Sequence, residues 1–149
     1  MAETALGERL ERRIRERAAR AGARAAVRME TELKSRFQVH RKSGDTQASV
    51  RVTLGSVTAT SIEYLAVATT PQAKFVNDGT PRHFIYARPG GALRFQWPAG
   101  PPELRHKDGF YYFAHVDHPG YIGDPWWDET VARWSEFVDD ALAALGGSG

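Results

Sequence analysis

The 149-residue chain contains no cysteine, so disulfides, thiolate nucleophiles and zinc–thiolate sites are excluded at the outset. No apolar run approaches the roughly 18 residues of a membrane span. The opening MAETALGERLERRIRERAAR lacks the apolar centre of a secretory signal. Also missing are a G-x-S-x-G elbow, an H-E-x-x-H pair and a phosphate loop ending in lysine. These absences point to a soluble protein without a bound cofactor or metal, and the lack of thiols fits a reducing compartment. With 42% apolar residues the chain can still bury a core of its own.

Charge is present but unevenly placed. Up to Lys42 there are 12 Lys/Arg against 6 Asp/Glu, hence +6; from Ser43 onward there are 8 against 12, hence −4. The formal net charge of +2 conceals this polarity. Such a split suits either nucleic acid or one protomer meeting the next, basic face to acidic face. Acidic residues mixed into the basic segment favour the protein contact.

The periodicity predicts one long helix over about residues 3–37, with Leu6, Leu10, Ile14, Ala18, Ala21, Ala25, Met29 and Leu33 on one stripe. Gly22 is the one place where it could break. At ~1.5 Å per residue such a helix is about 50 Å long, more than the domain needs to cover its own core. Its first part is therefore expected to project and pack on a neighbouring chain. RKSGDTQA reads as a polar linker. Strands follow over 49–54 and 58–69, with Gly55-Ser56 as the turn between them. Val50, Val52 and Leu54 make a buried face. Pro71 reads as a stop beside a short helical turn, and residues 83–87 as a short extended piece. ALRFQW and FYYFAHV are strands, the first placing Leu93, Phe95 and Trp97 on one face. Pro89-Gly90-Gly91 reads as a hairpin turn. PWWDETVARWSEFVDDALAAL is an amphipathic helix, with Asp124 at its N-cap and Pro125 in its first position. The expected fold is α+β: a single domain over 1–149, with the long helix in 1–40 and a C-terminal helix. Both pack on a small, mostly antiparallel sheet of four or five strands. Residues 146–149, GGSG, form a flexible tail.

Several residues carry candidate chemistry. His115, Asp117, His118 and Asp124 are metal-ligating types, but in no established spacing. A turn built by His118-Pro119-Gly120, with the imidazole bonding backbone groups, explains them better. The run Phe110, Tyr111, Tyr112, Phe113 could stack bases, or form a strand buried on one face and covered by a partner on the other. Trp126 and Trp127 diverge by ~100° on a helix, so one ring faces the sheet and the other a groove or interface. Leu6, Arg9, Leu10, Arg13, Arg17 and Trp126 are the expected contact residues of an assembly surface. Gly79, Thr80, Pro81, His118, Pro119, Gly120 and Pro125 are the expected shape-determining turns.

The order of these pieces is distinctive. A charged helix leads into YLAVATTPQAKFVNDGTPRHFIYARPGGALRFQW, and after a loop and strand comes VDHPGYIGDPWWDETV. This order resembles the tail-completion, or head–tail connector, proteins of the neck of long-tailed double-stranded DNA bacteriophages. In that family a segment of the type Y-A-x-x-V-E-x-G-T precedes I-x-P, then L-x-F, then H-P-G-x-x-x-x-P-F before the last helix. The matching positions are Ala73, Val76, Gly79 and Thr80, then Leu93 and Phe95, then His118, Pro119, Gly120 and Pro125. Trp126 stands where the family has Phe, and Asn77-Asp78 where it has an acidic residue and a variable one. The resemblance implies a non-enzymatic virion structural protein, assembled in the host cytoplasm and located in the neck or tail. Its partners would be its own copies, with six-fold ring symmetry most fitting, neighbouring neck and tail proteins, and genomic DNA passing nearby. No membrane partner is implied. Two readings from the residues alone stand beside it. One is a nucleic-acid-binding module using the Arg-rich helix with Tyr111 and Tyr112; the other is a small metal-dependent hydrolase centred on His115, Asp117 and His118.

Overall fold

The computed structural model describes residues 2–40 and 43–147. The fold is α+β, and the chain groups into two compact units where the sequence reading has one domain. One unit comprises the residues up to Asp78 with those from Asp124; the other is Gly79–Gly123.

Helix α1, Ala2–Phe37, forms the spine of the first unit and runs for 36 residues without a break. Gly22 does not interrupt it. The ring of Tyr64 lies there instead, and an added Cβ would stand 2.8 Å from Tyr64 Cε2. The stripe behaves differently in its two halves. Ala21, Ala25, Ala26, Met29, Leu33 and Phe37 are buried, whereas residues 4–20 are exposed throughout. Against the buried half pack Val50, Ala73, Trp126 and Phe137, with Val52, Ala66, Val76, Val131 and Val138 at the margin.

The polar stretch after α1 is only partly a linker. Arg41 and Lys42 lie outside the described residues, and Asp45–Ser49 form a short helix, α2, after Gly44 at φ 92°. Strand β1 (Arg51–Val57) pairs antiparallel with β2 (Ile62–Val67), from Arg51↔Val67 to Val57↔Ile62. The expected turn at Gly55-Ser56 is displaced. The strand bulges between Leu54 and Val57 and turns at 58–61, where Ser61 N–H donates to Thr58 Oγ1 at 3.0 Å. Glycine suits the bulge because a Cβ there would press on Leu65 and Glu63 at 3.2–3.3 Å. Of the expected buried face, Val50 is buried and Val52 half-buried, but Leu54 is exposed.

Pro71 starts a helix rather than stopping one: α3 runs Pro71–Asp78. Proline is tolerated there because a first-turn N–H has no intrahelical partner to lose. The expected C-terminal helix is two helices, α4 (Trp126–Val131) and α5 (Trp134–Gly146). Gly146 thus closes α5, and Ser148 and Gly149 of the expected flexible tail lie outside the described residues. Arg133, at the junction, reaches Glu32 of α1 and Glu136 of α5. The guanidiniums of Arg28 and Arg133 both lie over the Phe137 ring, 4.7 and 4.9 Å from its centroid.

The second unit is a long antiparallel ribbon. Strands β3 (Gly79–Thr80), β4 (His83–Tyr86) and β5 (Leu93–Phe95) form its first arm. Strands β6 (Tyr111–Phe113), β7 (His115–His118) and β8 (Tyr121–Ile122) return as β3–β8, β4–β7 and β5–β6 pairs. The strands of the chain therefore fall in four two-stranded ladders among the described residues, and FYYFAHV is divided between two of them. The register is continuous from Gly79↔Ile122 to Tyr86↔His115 and on to the Ala87 N–H, which donates to Ala114 O at 2.8 Å. It then skips, because Phe113 faces Leu93. Five residues, 88–92, are looped out. Pro89-Gly90-Gly91 is thus no hairpin turn; it sits in an insertion along one side of the ribbon.

Candidate functional site

Leu6, Leu10 and Ile14 are 65%, 58% and 59% exposed on successive turns of α1. Their spacing of four places them on one side of the helix. On one flank an open hollow of about 530 Å³ lies between Leu10, Ile14, Arg13 and Leu145 of α5. On the other, a groove of about 590 Å³ runs between Ile14 and Ala18, the 58–61 turn, and Trp134. The helix that sequence length alone makes too long for its core is thus uncovered at the large apolar side chains of its first half.

Arginines border this surface. Arg9 Nε donates to Ala5 O in its own turn at 3.2 Å. Arg17 Nη2 donates to Leu142 O at 3.2 Å, in the last turns of α5. Arg13 meets no carboxylate within 4.0 Å among the described residues, and neither do Arg20 or Arg24. These last two continue the 3–4 spacing of Arg13 and Arg17, a pattern already visible in the sequence.

The expected acidic counterpart is largely consumed within the chain. Of the twelve carboxylates after Ser43, seven lie within 4.0 Å of a cationic or histidine nitrogen: Asp78, Asp108, Asp117, Asp124, Glu129, Glu136 and Asp140. Arg28, four residues beyond Arg24, is held by Asp140 at 2.5 Å.

Trp126 does not belong to the surface. It is 0% exposed and packs edge to face on Phe37, so its assignment to an interface is corrected. Trp127 is the half-exposed ring of the pair. Helix phase decides this, and the phase is fixed by Asn77, 50 residues away. Its Oδ1 accepts the N–H groups of Trp127 and Asp128 at 3.1 and 3.3 Å, capping α4 from outside. Asp124, expected as the cap, instead meets His40 Nε2 at 2.8 Å and Arg36 at 3.8 Å. Pro125 flanks the helix rather than opening it.

Six of the expected turn residues converge in the ribbon. Gly79-Thr80 pairs with Tyr121-Ile122, and Gly120 backs onto Thr80, Pro81 and Arg82. Gly79 and Gly120 have φ of 80° and 89°, and a Cβ at either would come within 2.4–2.5 Å of a backbone carbonyl. Only glycine fits both demands. His118 Nδ1 accepts the Gly120 N–H at 3.1 Å across Pro119, and its ring stacks on His83 with centroids 5.1 Å apart.

The residues of the other two readings are engaged differently. Tyr111 is 1% exposed and donates its hydroxyl to Pro101 O at 3.1 Å, which leaves no face for a base. Tyr112 is exposed and donates to Asp108 at 2.6 Å, the bond that chiefly holds the Asp108 carboxyl below its ordinary range. The Asp117 carboxylate is bound by Arg82, which lowers its pKa. No three His, Asp or Glu side chains converge as a metal site among the described residues. No helix there is long and apolar enough to cross a membrane.

No protein-family model, curated protein or solved structure matches this chain.

Proposed function

We propose that this chain is a structural subunit of a tailed-phage virion, a neck or tail-completion protein that joins capsid to tail through contacts between symmetric copies. It carries out no catalysis in this role. The observation that carries the reading is the uncovered stripe of Leu6, Leu10 and Ile14. Burying such side chains is worth ~1.5–3 kcal/mol each, and the chain's own core leaves them to solvent. A contiguous apolar stripe of this kind marks an interaction surface. The ribbon adds support, since the two motif stretches that carry the phage resemblance, around Gly79 and around Gly120, pair with each other in it. The contact differs from an electrostatic one. Leu6, Leu10 and Ile14 supply its centre, while Arg9, Arg13 and Arg17 form its rim. A closed ring, six-fold to match the tail, is the assembly this reading calls for.

The test is a chain lacking the residues before Arg15, examined by sedimentation and by complementation of a phage defective in head–tail joining. The truncated chain is expected to stay folded and to fail in joining. If it still joins heads to tails, the helix is not the contact and the reading fails.

A further inference from the structure

We infer that α1 carries a second binding function, on a face that shares Arg9, Arg13 and Arg17 with the rim of the apolar contact: an arginine ladder that takes the phosphate backbone of double-stranded nucleic acid. Arg9, Arg13, Arg17, Arg20 and Arg24 follow at spacings of four, four, three and four. That keeps all five on one face, over about 22 Å of helix. All five are exposed. Every member is arginine, whose planar fork pairs with phosphate oxygens through two N–H groups at once.

The pattern of neutralisation identifies the partner. At Arg28 the line meets α5, and Asp140 and Glu136 compensate it at 2.5 and 4.0 Å. N-terminal to that point compensation stops. Glu11 pairs with Arg15 off the ladder at 3.8 Å, and Glu16, beside the hollow that Arg13, Arg17 and Arg20 line, makes no ion pair with them. A second copy of this chain is a poor counterpart. Its carboxylates after Ser43 with no cationic nitrogen within 4.0 Å among the described residues are Asp45, Glu63, Glu103, Asp128 and Asp139, scattered along the chain. A duplex presents one charge per ~1.7 Å of axis and can meet the ladder along its whole length. The ladder runs along one helix face at the helix's own period, so its arginines meet phosphates, contacts that position a duplex without reading its sequence. Binding a duplex needs only one copy of the chain, so it is measured independently of ring formation although the two contacts share Arg9, Arg13 and Arg17.

The experiment is fluorescence anisotropy of the full chain with two duplexes of unrelated sequence, titrated between about 50 and 200 mM salt. Equal affinity for both duplexes is expected, with a log–log salt slope of about −4 for four to five phosphate contacts. The triple variant Arg13→Gln, Arg20→Gln, Arg24→Gln should retain its helical circular dichroism while the slope shrinks by about 3. Arg88→Gln, on the ribbon, should leave the slope unchanged. Absence of binding at the lowest salt, an unchanged slope in the triple variant, or equal competition by poly-glutamate would each overturn the inference. The last of these would point to an acidic protein surface instead.

Discussion

The ring of Trp126 meets that of Phe37 edge to face, their centroids 4.9 Å apart and their planes inclined at 62°. This contact ties α4 to the end of the long helix. Trp126 Nε1 is buried there without a hydrogen-bond partner, and a buried unpaired donor costs about 1–3 kcal/mol. Trp126→Ala is expected to destabilise by about 3–5 kcal/mol. Trp126→Phe should lose much less, because removing the unpaired N–H offsets part of the lost volume. Trp127→Ala, at a half-exposed ring, should cost no more than about 1–2 kcal/mol. Denaturant unfolding of the three variants checks the order; equal losses at both tryptophans would contradict it.

Glu30 joins α1 to the first hairpin. One carboxylate oxygen holds Lys34, and the other accepts the Val52 N–H at 2.9 Å. The Lys34 bond first, and the Val52 N–H second, lower its pKa. A group whose folded pKa is depressed stabilises above its ordinary carboxylate range, and that stability is lost as pH falls through the folded value. Glu30→Gln should therefore cost about 1–2 kcal/mol at neutral pH. The gap from wild type should close below about pH 4. Thermal melts at both pH values decide this, since a gap that ignores pH would mean the loss is one of packing.

Some of the fold is readable in the residues themselves, and the unread parts have physical causes. Helix α1 is legible because its apolar spacing persists from Leu6 to Leu33 without proline. The exposure of its first half follows from length alone, as Leu6, Leu10 and Ile14 lie beyond the reach of a core this small. The choice between Trp126 and Trp127 is not legible. Adjacent helical residues always diverge, and the phase depends on Asn77, a cap far away in sequence. Pro71 and Gly55 misled for a related reason, since each residue type has two uses. Proline both ends helices and opens them, and glycine serves bulges as well as turns. The interruption between α4 and α5 has no glycine or proline to mark it. It coincides with Arg133, held by Glu32 of α1 through a contact that only the folded chain creates.

The glycines of the ribbon separate conformational strain from crowding. Gly79, Gly120 and Gly90 all have positive φ, but a Cβ at Gly90 would meet nothing within 4 Å. Gly90→Ala should thus cost about 1 kcal/mol, the backbone strain alone. Gly79→Ala and Gly120→Ala add contact with backbone atoms at 2.4 and 2.5 Å and should cost clearly more. A two-stranded ribbon has little stability in reserve, so amide-exchange protection across Thr80 and Tyr121 is the sensitive measurement. Similar protection in all three variants would show that crowding at Gly79 and Gly120 is unimportant.

The looped-out insertion makes the strongest claim about register. Ala87 bonds Ala114, and the next return residue, Phe113, faces Leu93 rather than residue 88. Removing residues 88–92 would bring Leu93 directly after Ala87 and opposite Phe113, so the two ladders would join in one uninterrupted register. Each existing pair is preserved by that deletion, including Arg94↔Tyr112 and Phe95↔Tyr111. A deletion of any other length would shift them. Single-residue slips reverse the faces of a strand. They would turn Phe95 away from the side on which it stacks with Phe113 at 5.8 Å. The five-residue deletion is therefore expected to fold, with stability equal to the parent or higher by about 0.5–1 kcal/mol from the lost loop entropy. Deletion of four residues should disorder β5 and β6. Cross-strand nuclear Overhauser contacts between Phe95 and Tyr111 in both variants provide the test. If the five-residue deletion loses those contacts, the ribbon is not continuous and residues 88–92 hold β4 and β5 apart.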